Sequence, residues 1–156
     1  MTINTDSIRK AIEANGAQPD WAKVLSEILR IFDCTTGTIH ALDPAKNLLL
    51  LKAQKGIPEF LLPKVSAIPV GKGMAGIAAE RKETVQICNL QTDESGIARP
   101  SAKETKMEGS ITVPLLYNGT LYGTLGIAKP VYYEFSTAEI AALEEIGQVI
   151  SRRLQM

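Results

Sequence analysis

Ser110-Ile111-Thr112-Val113-Pro114-Leu115-Leu116-Tyr117-Asn118-Gly119-Thr120-Leu121-Tyr122-Gly123-Thr124-Leu125-Gly126-Ile127-Ala128-Lys129 is the stretch on which the fold turns. Asn118-Gly119 is the pair a two-residue hairpin favours, because both central positions of such a turn need positive φ. The flanks, Ser110 to Tyr117 and Thr120 to Lys129, therefore read as paired antiparallel strands. Neighbouring side chains in a strand point to opposite faces. Ile111, Val113 and Leu115 thus share one face with Leu121, Leu125 and Ile127, while Ser110, Thr112, Thr124, Gly126 and Ala128 fall on the other. The first face must be covered by something apolar; the second is small and mildly polar.

Two helices offer that cover. After the hairpin, Ser136 and Glu139 stand in capping-box spacing ahead of Ile140, Leu143, Ile146, Ile150 and Leu154, an apolar stripe at helical period. Near the start, Pro19 and Asp20 suit a first helical turn, and Trp21, Val24, Leu25, Ile28, Leu29 and Phe32 follow at the same period. Residues 7–14 read as a short helix stopped at Asn15-Gly16, so residues 1–18 are expected to form a peripheral arm and 19–156 the domain.

Between the helices, Thr36 to Asp43 and Asn47 to Lys55 read as two antiparallel strands broken by Asp43-Pro44. Pro58 to Val65 and Met74 to Arg81 read as short helices, the second entered through Gly71-Lys72-Gly73, and Thr84 to Cys88 as a strand. Residues 89–109 are polar, broken by Gly96 and Pro100, and helical only around Ala102 to Thr105. So long an irregular stretch in a small domain is usually a lid or binding loop. The order lacks a regular strand-helix alternation and so predicts an α+β fold: a central antiparallel sheet with the N- and C-terminal helices on one face and a ligand pocket on the other.

Composition narrows the function. The 156 residues suit one core, and 45% hydrophobic with 22% charged residues is ordinary for a globular chain. Seventeen basic residues balance seventeen acidic ones, so no field draws the chain to nucleic acid or anionic lipid. No segment reads as a signal peptide or membrane span, which makes the cytoplasm the expected location. Two cysteines, Cys34 and Cys88, and a single histidine form neither a disulfide framework nor a metal-ligand cluster, and no cofactor is expected.

Over roughly residues 20–155 the chain resembles the GAF family of ligand-binding domains, in the order of its elements and in three stretches. These are Val70-Gly71-Lys72-Gly73-Met74-Ala75-Gly76, Ser110-Ile111-Thr112-Val113-Pro114-Leu115 and Gly119-Thr120-Leu121-Tyr122-Gly123-Thr124-Leu125-Gly126-Ile127. The resemblance implies a pocket floored by the sheet and roofed by the middle helices and loop. It places Thr36, Thr38 and His40 on the pocket side, with Gly37, Ile39 and Ala41 behind.

Some short proteins of this family are free methionine-R-sulfoxide reductases, which use a nucleophilic and a resolving cysteine together with substrate-holding carboxylates. Where those carry the cysteine of a Gly-Val-Cys-Gly stretch, this chain has Ala75, and Asn89 to Gly109 holds no cysteine. The family's glutamate corresponds to Ser110, and its two aspartates to Gly126 and Ala128. Cyclic-nucleotide-binding relatives show an Asn-Lys-Phe-Asp-Glu pattern, of which Asn89 and Asp93-Glu94 are a remnant that a solvated acidic turn also explains. The tetrapyrrole-binding pattern of a thioether cysteine or axial histidine is not matched either.

The expectation is thus a non-catalytic, small-molecule-binding sensory or regulatory domain that works in signalling with a partner protein. A divergent reductase using Cys88 and a ligand-free dimerisation module are the alternatives. The candidate ligand-binding residues are His40, Gln54, Met74, Ile77, Asp93, Arg99, Ser110, Thr112 and Thr124. His40 supplies an imidazole, Arg99 a planar clamp for an anion, and Met74 with Ile77 apolar walls. The Gly71-Lys72-Gly73 turn can present backbone N–H groups to a carboxylate, nitrate or phosphate. Apolar surface on the terminal helices suits a homodimer.

Overall fold

Asn118 and Gly119 both take positive φ, 52° and 77°, and fold the hairpin as the sequence dictates. The computed structural model describes residues 3–14 and 18–154. In chain order these form α1 (Asp6–Glu13), α2 (Trp21–Phe32), β1 (Thr36–Asp43), β2 (Leu48–Lys55), a 3-10 turn (Glu59–Leu61) running into α3 (Leu62–Val65), and β3 (Ala67–Pro69). The second half comprises α4 (Gly73–Arg81), β4 (Val85–Ile87), α5 (Pro100–Glu104), β5 (Gly109–Tyr117), β6 (Thr120–Lys129) and α6 (Thr137–Leu154).

The strands make one six-stranded sheet in the order β3-β2-β1-β6-β5-β4, and every neighbouring pair is antiparallel. The fold is the α+β arrangement that the hydrophobic pattern predicts. One face carries Ile39, Ile111, Val113, Leu115, Leu125 and Ile127 into a core shared with Leu25 and Ile28 of α2 and Leu143 and Ile146 of α6. At about 25 cal/mol per Å² of apolar surface removed from water, burial on this face is the main force holding sheet and helices together.

Local signals set the helix ends. Ser136 and Glu139 form the expected capping box: the Ser136 amide donates to Glu139 Oε1 at 2.9 Å and the Glu139 amide to Ser136 Oγ at 3.1 Å. Asp20 lies just outside α2 as its N-cap, accepting from the Lys23 amide at 3.2 Å. At the other end of α2, Lys129 Nζ donates to the Phe32 and Asp33 carbonyls at 2.7 and 3.0 Å and sits 4.4 Å from the Tyr133 ring centroid. A cation suits the negative end of a helix, so this buried lysine ties the end of β6 to α2.

Two findings depart from the sequence reading. The hairpin register shifts between Leu115 and Leu116, so Leu115 faces Gly123, Leu116 faces Leu121, and Tyr122 is the extra residue. This bulge breaks the alternation. Leu121 packs with Leu49, Ile68 and Ala79, away from the helix-covered core to which alternation assigns it.

The second concerns residues 1–18. Ile8 and Ile12 of α1 are fully buried in the main core, and the helix contacts both α2 and α6. Arg153 Nη1 donates to the Ile12 carbonyl at 2.7 Å, and Arg9 pairs with Glu145. Within the segment read as an arm, Asp6–Glu13 therefore belongs to the helical layer, packed on α2 and α6. Asn15 and Gly16, read as the stop of this helix, lie outside the described residues.

Candidate functional site

On the face away from α2 and α6, three central strands floor a cavity of about 150 Å³. Cross-strand pairing sets its side chains in rungs. Thr36, Ala128 and Ser110 form one, and Thr38, Gly126 and Thr112 the next. The hollow of the floor is at Gly126: a Cβ there would stand 3.4 Å from Thr38 Oγ1 and 3.3 Å from Thr112 Oγ1. His40, Thr124 and Pro114 make a third rung. Ile57, Leu61, Val65 and Ile68 wall one side, the first turn of α4 another, and the 89–109 segment closes over with Leu90, Arg99, Thr105 and Met107.

His40 is the polar end of this chamber. It is 1% exposed, and its Nε2 lies 2.7 Å from the Val65 carbonyl. A carbonyl only accepts, so Nε2 carries the proton and Nδ1 presents a lone pair; that atom is buried with no hydrogen-bond partner. Burial pushes the imidazole pKa below its ordinary value, and the bond to Val65 opposes this in part. Neutral His40 therefore contributes stability that is complete above the ordinary histidine value of about 6.5 and is lost as pH falls from there through the folded value. Chemical denaturation from about pH 7.5 to about pH 5.5 is expected to show a steeper loss for the wild type than for His40→Phe, by at most about 1.4 kcal/mol per pH unit. Parallel curves would mean that folding does not hold the ring neutral.

The wall has three cations, Lys64, Lys72 and Arg99, and no carboxylate or thiol. Cys34 is buried, its Sγ 3.6 Å from the Phe32 carbonyl, and burial drives its thiol up to about 12. Cys88 is half-buried just past β4 and lies outside the cavity lining. Among the described residues there is no group of three His, Cys, Asp or Glu side chains placed to hold a metal, and no helix long and apolar enough to cross a membrane.

Of the residues singled out in the sequence, His40, Met74, Arg99, Ser110 and Thr112 come together in this wall. Four do not. Gln54 pairs with Thr38 but spends its Oε1 on the Ile57 amide at 3.3 Å, shaping the turn after β2. Ile77 lies on α4 beyond the first turn that meets the cavity. Asp93 closes its own loop, accepting from Ser95 Oγ at 2.7 Å through its carboxylate and from Lys103 Nζ at 3.1 Å through its carbonyl. Thr124 is buried beside His40 outside the lining, with its Oγ1 unpartnered. Sequence reasoning missed Leu61, Lys64, Leu90 and Met107, which come from segments too short to show a period.

A six-stranded antiparallel sheet with terminal helices behind and a cavity in front is a shared architecture, and the sequence assigns it to a family: residues 22–155 match the model for the GAF domain. The chain belongs to the GAF family. Among solved structures this GAF domain is similar to that of a phosphoenolpyruvate-protein phosphotransferase from Coxiella burnetii, with TM-score 0.79 and 18% identity over 96% of this chain and 89% of the other. The corresponding domain from Acinetobacter gives TM-score 0.78 and 20% identity over the same shares, 96% and 89%. A free methionine-R-sulfoxide reductase from Neisseria meningitidis, solved with its substrate, gives 0.75 and 18% over 95% of this chain and 84% of that one. At these identities the likeness is one of fold. No curated protein matches the GAF domain in a sequence comparison.

Proposed function

We propose that this GAF domain is a non-catalytic sensory or regulatory module of the cytoplasm, whose small-molecule ligand occupies the cavity between the sheet and residues 89–109. Binding shifts that segment between populations and so signals to a partner protein. The observation that carries the reading is the cavity itself, floored by the hydroxyls of Thr36, Thr38, Ser110 and Thr112 and closed over by Leu90, Arg99, Thr105 and Met107 of the 89–109 segment.

A thermal-shift screen against nucleotides, amino acids, oxidised methionine, organic and inorganic anions and tetrapyrroles tests it. A ligand at about 100 times its Kd adds roughly 2.7 kcal/mol to native stability, an unmistakable shift. Thr112→Trp, which fills the floor opposite Gly126, is expected to abolish the shift with the fold intact. A ligand shift that survives Thr112→Trp would place binding elsewhere.

The competing reading is a reductase acting through Cys88. Its fold has a reductase likeness, but Cys88 stands outside the lining. No NADPH-linked turnover of free methionine sulfoxide is expected. Turnover that disappears in Cys88→Ser would overturn the non-catalytic reading.

A further inference from the structure

We infer that the cavity takes a small, uncharged, largely apolar carbonyl compound, whose oxygen rests over Gly126 between the hydroxyls of Thr38 and Thr112 and whose body packs among Leu61, Ile68 and Leu90. This rests on the cavity's being the ligand site, and goes on to name the class of molecule that fits there.

The floor supplies the polar half of the match. Thr112 is only 5% exposed, and it lines the cavity from β5 between Val85 and Gly126 of the neighbouring strands. Its hydroxyl has no hydrogen-bond partner among the described residues, yet the oxygen is not sealed off, so the surface it keeps opens into the cavity. Thr38, on the other side of Gly126, also lines the cavity with an unpartnered hydroxyl. A Cβ on Gly126 would stand 3.3 Å from Thr112 Oγ1 and 3.4 Å from Thr38 Oγ1, so the side chain that glycine lacks leaves a seat with a hydroxyl on each flank. Each hydroxyl has one proton to donate. A carbonyl oxygen, with two lone pairs and no proton of its own, accepts both.

The same seat disfavours charge. Lys64 and Lys72 are exposed and Arg99 is half-buried, so water competes for these cations and their attraction for an anion is worth little. Deeper in, the side chains of Leu61, Ile68 and Leu90 are buried and wholly apolar. A carboxylate or an ammonium at Gly126 would give up its hydration for hydroxyls alone, with no countercharge beside it. Apolar walls suit the hydrocarbon body of a neutral molecule instead. Size agrees with a small ligand: a cavity of about 150 Å³ takes a benzene-sized core, which a nucleotide exceeds.

Titration calorimetry on the full chain with benzamide and cyclohexanone tests the assignment, against toluene and methylcyclohexane, which lack the oxygen, and benzoate and cyclohexylammonium, which carry charge. At least one carbonyl compound is expected to bind, about threefold tighter than its hydrocarbon counterpart and about tenfold or more tighter than its charged one. Thr112→Val keeps the shape of the side chain and removes the hydroxyl. It is expected to weaken the carbonyl compound about fivefold and leave the hydrocarbon unchanged, whereas a merely structural role for Thr112 would move both alike. Gly126→Ala fills the seat and is expected to weaken the carbonyl compound about tenfold, with urea denaturation showing that the variant is folded. Equal affinity for carbonyl compound and hydrocarbon, an unaffected Thr112→Val, or no binding by either carbonyl compound would each overturn the assignment. If charged compounds bind in a Thr112→Trp-sensitive way instead, the sensory reading stands and this ligand class falls. If nothing of any charge binds, both fall.

Discussion

Gly123→Ala is expected to destabilise the protein by more than about 3 kcal/mol, more than any change at the cavity surface. At this position, just beyond the hairpin bulge, a Cβ would stand 1.9 Å from the His40 carbonyl oxygen and 3.0 Å from its carbon. Both colliding groups belong to backbone in the middle of the sheet, so neither can rotate away. Relief requires opening the β1–β6 ladder at the Ala41–Gly123 pair, next to the rung that holds His40. Urea denaturation reads the loss. Gly126→Ala is the control, since its Cβ meets only two threonine hydroxyls at 3.3 and 3.4 Å. A cost for Gly123→Ala of under about 1 kcal/mol would show that β1 yields easily and that the close approach is not a constraint.

Truncating the buried isoleucines of α1 comes next. Ile8→Ala and Ile12→Ala are each expected to cost about 2–4 kcal/mol, because each removes three methyl or methylene groups' worth of packing and leaves a space that the surrounding helices fill only in part. Both side chains are fully buried against the layer formed by α2 and α6. A chain beginning at residue 19, the boundary the sequence suggests, should accordingly be much less stable than the full one and expose apolar surface on α2 and α6. Equilibrium unfolding of the two single variants and of the truncated chain measures this. Losses below about 0.5 kcal/mol would return residues 1–18 to the status of a peripheral arm.

The pattern of what the sequence discloses follows its physics. The hairpin turn and the capping box of α6 are local chemistry, fixed by a few adjacent residues, and both stand as read. The helix-facing stripe is periodic over many residues and is equally legible. A bulge leaves no mark on alternation, so Leu121 is assigned to the wrong side. Ile8 and Ile12 carry the i, i+4 spacing of a buried face, but eight residues of helix at one end of the chain do not say whether anything packs on them. β3 is three residues long and ends in Pro69, too brief for any pattern.

At the cavity, residues on long strands were legible and those on connecting segments were not. Ser110 and Thr112 follow from alternation along β5, His40 from the family resemblance, and Arg99 from its place in an unusually long polar loop. Lys64 and Met107 enter only because the chain folds back over the floor, a tertiary event with no local signature. The unsatisfied Nδ1 of His40 is visible only once the Val65 carbonyl is in place.

The outer margin of β2 bears on behaviour in a crowded solution. β3 pairs with residues 48–50 alone, and the register between β1 and β2 slips at Lys52, where His40 faces Leu51 and Ile39 faces Ala53. Any foreign strand seeking to extend the sheet from this side would meet an irregular backbone flanked by the exposed ammonium groups of Lys52 and Lys55. Kinked, positively charged borders of this kind resist edge-to-edge polymerisation. The sheet is thereby kept from serving as a template for fibre growth along this margin.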